Sequence, residues 1–263
     1  MARKDQHTAS VDPMPPQAAE DGLRAWYAST LGQALLAAER EALDAVLPDL
    51  FGYYLVQLGV PCREYLLGAS LIRRQVLICD ALAGIEAGDE DRVALMRART
   101  CLLPLRNDSV DVVLLPHTLD FEPSAHDVLR EAERVLVPEG HLVVLGFNPW
   151  SLWGVRRLFT WRRPRTPPWS GSFRGSSRIR DWLALLGFDV VLVRSCFFRP
   201  PMHNAGLMRR LQWLEPLGAR RWPYLGGTYI IVARKRVATL TPIKPRWRPR
   251  RSLVRGGAIK PTA

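Results

Sequence analysis

Two residues in the first third of the chain have the types and spacing to hold a ribose. Gly59 ends the apolar run Leu55-Val56-Gln57-Leu58, and Asp80 ends Gln75-Val-Leu-Ile-Cys79, 21 positions further on. A glycine closing a buried strand marks a backbone position that needs an unusual φ or a close approach. An acid about 20 residues later is placed to accept vicinal hydroxyls. The competing readings make Gly59 a simple tight turn and Asp80 a helix cap. His117 follows a later apolar run, and its near-neutral titration suits either a base or a satisfied structural histidine. Metal chemistry finds no support: Cys62, Cys79, Cys101 and Cys196 form no Cys-x-x-Cys pair, and His126, His141 and His203 have no partner at ligand spacing. The four cysteines read as small core residues in a reducing compartment.

The elements that must position these residues are clearest between 105 and 147. The runs Val110–Leu115 and Leu142–Phe147 are short and rich in Val and Leu, with a helical pattern between them. That is the form of a βαβ unit in a buried parallel sheet. The helix sets Val128, Leu129, Ala132, Val135 and Leu136 on one stripe, and Pro138-Glu-Gly140 should end it and turn the chain into the next strand. Glu131 and Arg134 read as a helix-surface pair. Upstream, 55–59 predicts a first strand, Arg63 to Ser70 its helix, 75–80 a second strand and 92–97 a third. From Asp21 to Leu47, Leu23, Trp26, Tyr27, Leu31, Leu35, Leu36, Leu43 and Val46 recur at helical spacing, giving one long helix or two broken near Ser29–Gly32.

Regularity stops between Asn148 and Ser177, where Trp150, Trp153, Trp161 and Trp169 alternate with Arg156, Arg157, Arg162, Arg163 and Arg165. An insertion after a strand's carboxyl end lies where open α/β sheets bind ligands. It reads as a lid packed on the core, or as an aromatic and basic platform for a polyanion.

The net charge of +12 is concentrated at one end: residues 234–263 carry ten Lys or Arg and no acid, which leaves the remainder at +2. The Pro/Arg-rich stretch from Thr239 has too little apolar content to repay its ordering entropy. Weak polyanion contact through it, by counterion release, stands beside a solubilising role. No apolar run reaches the roughly 18 residues of a membrane span, and the N-terminus has no secretion-signal h-region, so a cytoplasmic, non-spanning protein is expected.

Several of these stretches, in order, resemble the class I S-adenosylmethionine-dependent methyltransferases called type 11. The resemblance rests on Leu103-Pro-x-x-x-x-Ser109-x-Asp111 and Leu129-x-Glu131-x-x-Arg134-Val-Leu-x-Pro138-x-Gly140, and extends through Asp181-Trp-Leu-Ala-Leu-Leu-Gly-Phe188 to Gly227–Lys235. It implies an α/β fold, a doubly wound, mostly parallel seven-stranded sheet with a last antiparallel strand, and S-adenosyl-L-methionine as cofactor. It further implies cofactor contacts at Gln57, Leu58, Gly59, Asp80, Arg99, Thr100, Pro116 and His117. The chain departs from the family at Pro61 and Arg63, which occupy its second and third glycine positions, at Gln57, which replaces an acid, and at Arg99, where an acid is common. The Asn/Asp-Pro-Pro-aromatic stretch of amino-methylating DNA enzymes is replaced by Leu115-Pro-His117-Thr.

The expected organisation is a disordered leader over 1–19, a helical cover over 20–50, a methyltransferase-like domain over 51–236 with the Trp/Arg insertion at 148–177, and a basic disordered tail over 237–263. A methyltransferase acting on a small-molecule acceptor is expected, with no catalytic residue assigned. The alternative is a non-catalytic protein of this fold that holds RNA or another polyanion through the insertion and the tail.

Overall fold

A computed structural model describes residues 16–59, 66–80, 93–159, 167–202 and 204–236. Its centre is a seven-stranded sheet: β1 (Tyr54–Leu58), β2 (Arg74–Cys79), β3 (Val93–Arg97), β4 (Val110–Pro116), β5 (Leu136–Phe147), β6 (Phe188–Cys196) and β7 (Thr228–Lys235). The spatial order is β3-β2-β1-β4-β5-β7-β6. Pairing is parallel from β3 to β5, and β7 runs antiparallel to both β5 and β6. The mostly parallel sheet with a final antiparallel strand is therefore present.

Strands buried on both faces explain the unbroken apolar runs. In β4, Val112 and Leu114 join the core on one face while Val113 and Leu115 join that on the other. The first face is covered by α1 (Pro16–Tyr27) and α2 (Thr30–Asp44), through Leu23, Tyr27, Leu31, Leu35 and Leu43. The opposite face is covered by α4 (Ala125–Val135), which follows the one-turn α3 (Thr118–Phe121), and by α6 (Ser176–Leu185). The stripe Val128, Leu129, Ala132 and Val135 is fully buried, and Ile179 and Leu183 of α6 join it.

Of the two readings of residues 21–47, the structure shows two helices, with the break at Ala28–Ser29: Ser29 caps α2 by accepting a hydrogen bond from the Gly32 amide at 3.2 Å. Gly32 has no room for a side chain, since a Cβ would lie 2.3 Å from the Trp26 carbonyl oxygen. Because α1 begins at Pro16, it reaches into the segment expected to be a leader. Residues 1–15 and 237–263, the expected leader and tail, lie outside the described residues.

Two local expectations are corrected. Strand β5 starts at Leu136, directly after α4, so Pro138-Glu-Gly140 lies within a strand and not in a helix-ending turn. The pairing of β4 with β5 shifts register between Val110 and Val112, and Glu139 takes φ +63°, so the turn-forming residues are absorbed as an irregularity of the ladder. In the segment expected to be a helix from Arg63 to Ser70, the described residues are 66–70, and they form a turn over 66–69 with no helix.

Glu131 and Arg134 do more than pair on a helix surface. Arg134 meets Glu131 at 2.9 Å and donates to the carbonyls of Leu103 and Leu105 and to Asn107, while Glu131 accepts from the Leu103 amide. The planar guanidinium suits this multiple role. Together the two side chains clamp the β3–β4 connection onto α4. At the other end of that connection Asp111 accepts from the amides of Tyr53 and Tyr54, fixing the entry to β1.

The insertion divides. Its α5 (Leu152–Phe159) turns Trp153 fully inward against Trp26, Phe147, Trp169 and Phe197. Trp169 is also buried, with Arg156 over its ring. These two indoles belong to the core and are not open to stacking on bases. Trp161 lies outside the described residues. Two short helices, α7 (Ala205–Arg210) and α8 (Leu214–Arg221), connect β6 to β7.

Candidate functional site at the carboxyl edge of the sheet

The carboxyl ends of β1, β2 and β3 come together as the parallel pairing requires. Gly59 leaves β1 with φ +84°, a backbone that favours glycine, and its amide donates to the Ile78 carbonyl of β2 at 2.8 Å. A Cβ there would meet Thr118 Oγ1 at 3.0 Å. Thr118 in turn donates to the Leu58 carbonyl at 2.6 Å, tying the end of β1 to the start of α3. Gly59 is thus required both by its own φ and by this close approach.

Gln57, nearly fully buried, donates from Nε2 to the Gly59 carbonyl at 3.4 Å. Its Oε1 has no hydrogen-bond partner among the described residues. A buried amide oxygen without a donor carries a desolvation cost, which a bound donor would relieve. Asp80 stands at the end of β2, facing a cleft of about 420 Å³ that it lines with Arg97, Ala98 and Arg99. Burial pushes its carboxyl up, opposed by the attraction of Arg99 and Arg97. Arg97 donates to the Asp80 backbone carbonyl at 2.8 Å, and among the described residues the Asp80 carboxylate oxygens have no hydrogen-bond donor.

These residues fit S-adenosylmethionine: a carboxylate with no donor among the described residues for ribose hydroxyls, an amide oxygen likewise without one at the end of β1, and a glycine where the backbone must come close. Of the residues the sequence singles out, Gln57, Gly59, Asp80 and Arg99 are grouped at this edge. Leu58 is a core residue that contributes its carbonyl to Thr118. Thr100 is buried and its hydroxyl donates to Glu122. Pro61 and Arg63 lie outside the described residues.

Pro116 and His117 end β4, but the His117 ring turns inward. It is fully buried, in the left-handed region at φ +55°. Its Nε2 lies 2.8 Å from Glu39 Oε1 of α2, and its Nδ1 lies 3.3 Å from Asp120 Oδ2. The same Asp120 oxygen accepts from the Phe147 amide at 2.9 Å, and Glu39 Oε2 accepts from the Tyr27 hydroxyl at 3.3 Å. Burial disfavours the charged ring, but the Glu39 charge and hydrogen bonds to Asp120 and Glu39 outweigh it and raise the pKa to about 9. Both ring nitrogens are occupied by acidic side chains that favour the protonated ring, an arrangement that suits a structural histidine more than a general base.

Sequence reasoning did not find Glu39 and Asp120. Glu39 is one polar residue among several on the predicted N-terminal helix, Asp120 falls between a predicted strand and a predicted helix, and nothing in the sequence pairs position 39 with position 117. A second hollow also escaped it. Trp150, Leu152 and Val155, at the start of α5, face Leu214, Trp222 and Leu225, around α8, across an almost wholly apolar space of about 360 Å³.

The chain matches the family model "Methyltransferase domain" of type 11 over residues 72–144, which runs from β2 into β5. It is 33% identical over 213 residues to the uncharacterized protein YafS of Escherichia coli strain K12, covering 79% of both chains. Among solved structures it resembles a Thermotoga maritima S-adenosylmethionine-dependent methyltransferase described as a possible histamine N-methyltransferase. There the TM-score is 0.62 at 17% identity, over 82% of this chain and 95% of that one. A second likeness is to an S-adenosylmethionine-dependent methyltransferase of Mesorhizobium loti, with TM-score 0.54 at 17% identity over 74% and 96% of the two chains. The strand order, the final antiparallel strand, the Glu131/Arg134 clamp within the matched segment and the YafS relationship agree: the chain belongs to the class I S-adenosylmethionine-dependent methyltransferases of the type 11 family.

Proposed function

We propose that the protein transfers the methyl group of S-adenosylmethionine to a small-molecule acceptor, and that the edge formed by Gln57, Gly59, Asp80 and Arg99 binds the cofactor. The observation that carries this reading is the Asp80 carboxylate. It is held at the end of β2, free of donors among the described residues, and lines a cleft with Arg97, Ala98 and Arg99. When bound, the cofactor supplies a methyl group already activated on a sulfonium, so the chain's own work is positioning and exclusion of water.

Each residue has a separable part. Asp80 accepts the ribose hydroxyls as a carboxylate. Arg97 and Arg99 favour its charged form against the burial that opposes it. Gln57 offers Oε1 to a donor on the amino-acid portion of the cofactor. Gly59 lets the backbone come close without a side chain. The Glu39–His117–Asp120 network holds α2 over the end of β4. The reading places the chain in the cytoplasm, where buried thiols such as Cys79 stay reduced.

Ultraviolet crosslinking with methyl-labelled S-adenosylmethionine tests the placement. Label should map to peptides containing residues 57–59 and 97–100 and should fall strongly in Asp80→Ala. Label elsewhere, or label indifferent to Asp80, would contradict the assignment.

A further inference from the structure

The hollow between α5 and α8 opens on a face with an unusual surface composition for a protein bathed only in water. Trp150 is 79% exposed, Phe159 81%, Trp222 52% and Tyr224 81%. Scattered apolar side chains are ordinary, but Trp150 and Trp222 line the same hollow, so this is a contiguous patch of the kind that marks an interaction site. Tyr224 and Phe159 extend it along the chain at either side.

Its charge is one-signed. The exposed pairs Arg209-Arg210 and Arg220-Arg221 end α7 and α8. Helices α5, α7 and α8 contain one acid, Glu215, and it is engaged by Arg199 at 2.8 Å and by the Phe198 amide at 3.0 Å. On α8, Arg221 falls two turns from Leu214, on the side that faces the hollow. Tryptophan and tyrosine beside leucine and phenylalanine, rimmed by arginine, suit the boundary between acyl chains and anionic headgroups. A second copy of this chain would set arginine against arginine, and a purely polyanionic partner would leave the apolar area unused. Among the described residues no helix is long and apolar enough to cross a membrane, so such contact would be peripheral.

We propose that the α5/α7/α8 face docks on the surface of an anionic phospholipid bilayer, its exposed aromatic side chains entering the headgroup region and its arginines meeting phosphate. This does not depend on the cofactor reading, because the hollow shares no lining residue with the cleft at Asp80.

The test is sedimentation of the full chain with vesicles of phosphatidylcholine mixed with phosphatidylglycerol, and with vesicles of phosphatidylcholine alone. The mixed vesicles should capture the protein and the neutral ones far less. Two double variants, Trp150→Ala/Trp222→Ala and Arg220→Glu/Arg221→Glu, should each bind the mixed vesicles at least about tenfold more weakly, the first because its aromatic insertion is lost and the second because its attraction to anionic headgroups is reversed. Both keep the basic segment 237–263 unaltered, so their loss cannot be assigned to it. Tryptophan quenching by brominated acyl chains should be reduced in the tryptophan variant. Failure of the parent protein to sediment with mixed vesicles would overturn the proposal. So would wild-type binding by both variants, which would assign capture to the basic segment, or patch-dependent self-association without vesicle binding, which would assign the face to a second copy. Should the tryptophan variant melt lower than the parent, the arginine variant decides.

Discussion

The Nε2 of His117, at the carboxyl end of β4, lies 2.8 Å from Glu39 Oε1 in α2, with both side chains fully excluded from solvent. This contact ties the N-terminal cover to the sheet by charge as well as by apolar burial. Removing one partner leaves an uncompensated buried charge, so His117→Leu should cost about 3–5 kcal/mol, far more than an exposed pair is worth. Urea unfolding at neutral pH checks this. A loss under 1 kcal/mol would mean that the network does not hold the cover.

The same group sets a pH dependence. Its folded pKa, about 9, is above the ordinary value of 6.5. The stabilisation it gives is therefore fully present below pH 6.5 and is lost as pH rises through 9, in total on the order of 3 kcal/mol. Unfolding free energies of the parent and of His117→Gln, measured from pH 6 to pH 10, should converge toward the alkaline end. Parallel curves would show that His117 is neutral in the folded protein.

The two classes of tryptophan should separate cleanly. Trp153 is 1% exposed and touches four aromatic rings, so Trp153→Ala should cost about 3–5 kcal/mol. Trp150 is 79% exposed, and Trp150→Ala should stay within about 0.5 kcal/mol of the parent. Equal effects on the melting temperature would refute the division of the insertion into a core part and a surface part.

Arg134 offers a test of the β3–β4 clamp. Arg134→Ala removes hydrogen bonds to Leu103, Leu105 and Asn107 and should cost about 1–3 kcal/mol. Arg134→Lys should restore little, because a point charge cannot span the same acceptors. Amide hydrogen exchange should rise in residues 103–107 in both variants. Protection unchanged in that loop would remove the clamp from the account.

Much of the fold was legible because period and order are local properties. Val110–Leu115 and the stripe from Val128 to Val135 carry their structure in their own spacing, and the break between α1 and α2 is written in Ser29 and Gly32. The start of β5 was not legible: Pro138 and Gly140 are turn formers, and they are carried inside a strand because the ladder is paired on either side of them, Leu136 with Val110 and His141 with Val112 and Arg234. At the site, Gly59 and Asp80 could be found from strand ends alone. The inward rotation of His117 could not, since it depends on Glu39, 78 positions away. The lipid-facing character of α8 was hidden for the same reason: Trp150 and Trp222 meet only in the folded chain.

The most direct measurement is calorimetric titration of the full chain with S-adenosylhomocysteine, paired with Asp80→Ala. The account predicts saturable binding at one site, and about 2.7 kcal/mol of added stability at one hundred times the dissociation constant. Asp80→Ala should bind at least about tenfold more weakly, as expected for the loss of hydrogen bonds to a charged acceptor. No heat and no thermal shift at millimolar ligand would contradict cofactor binding, and an unchanged affinity in Asp80→Ala would contradict its location.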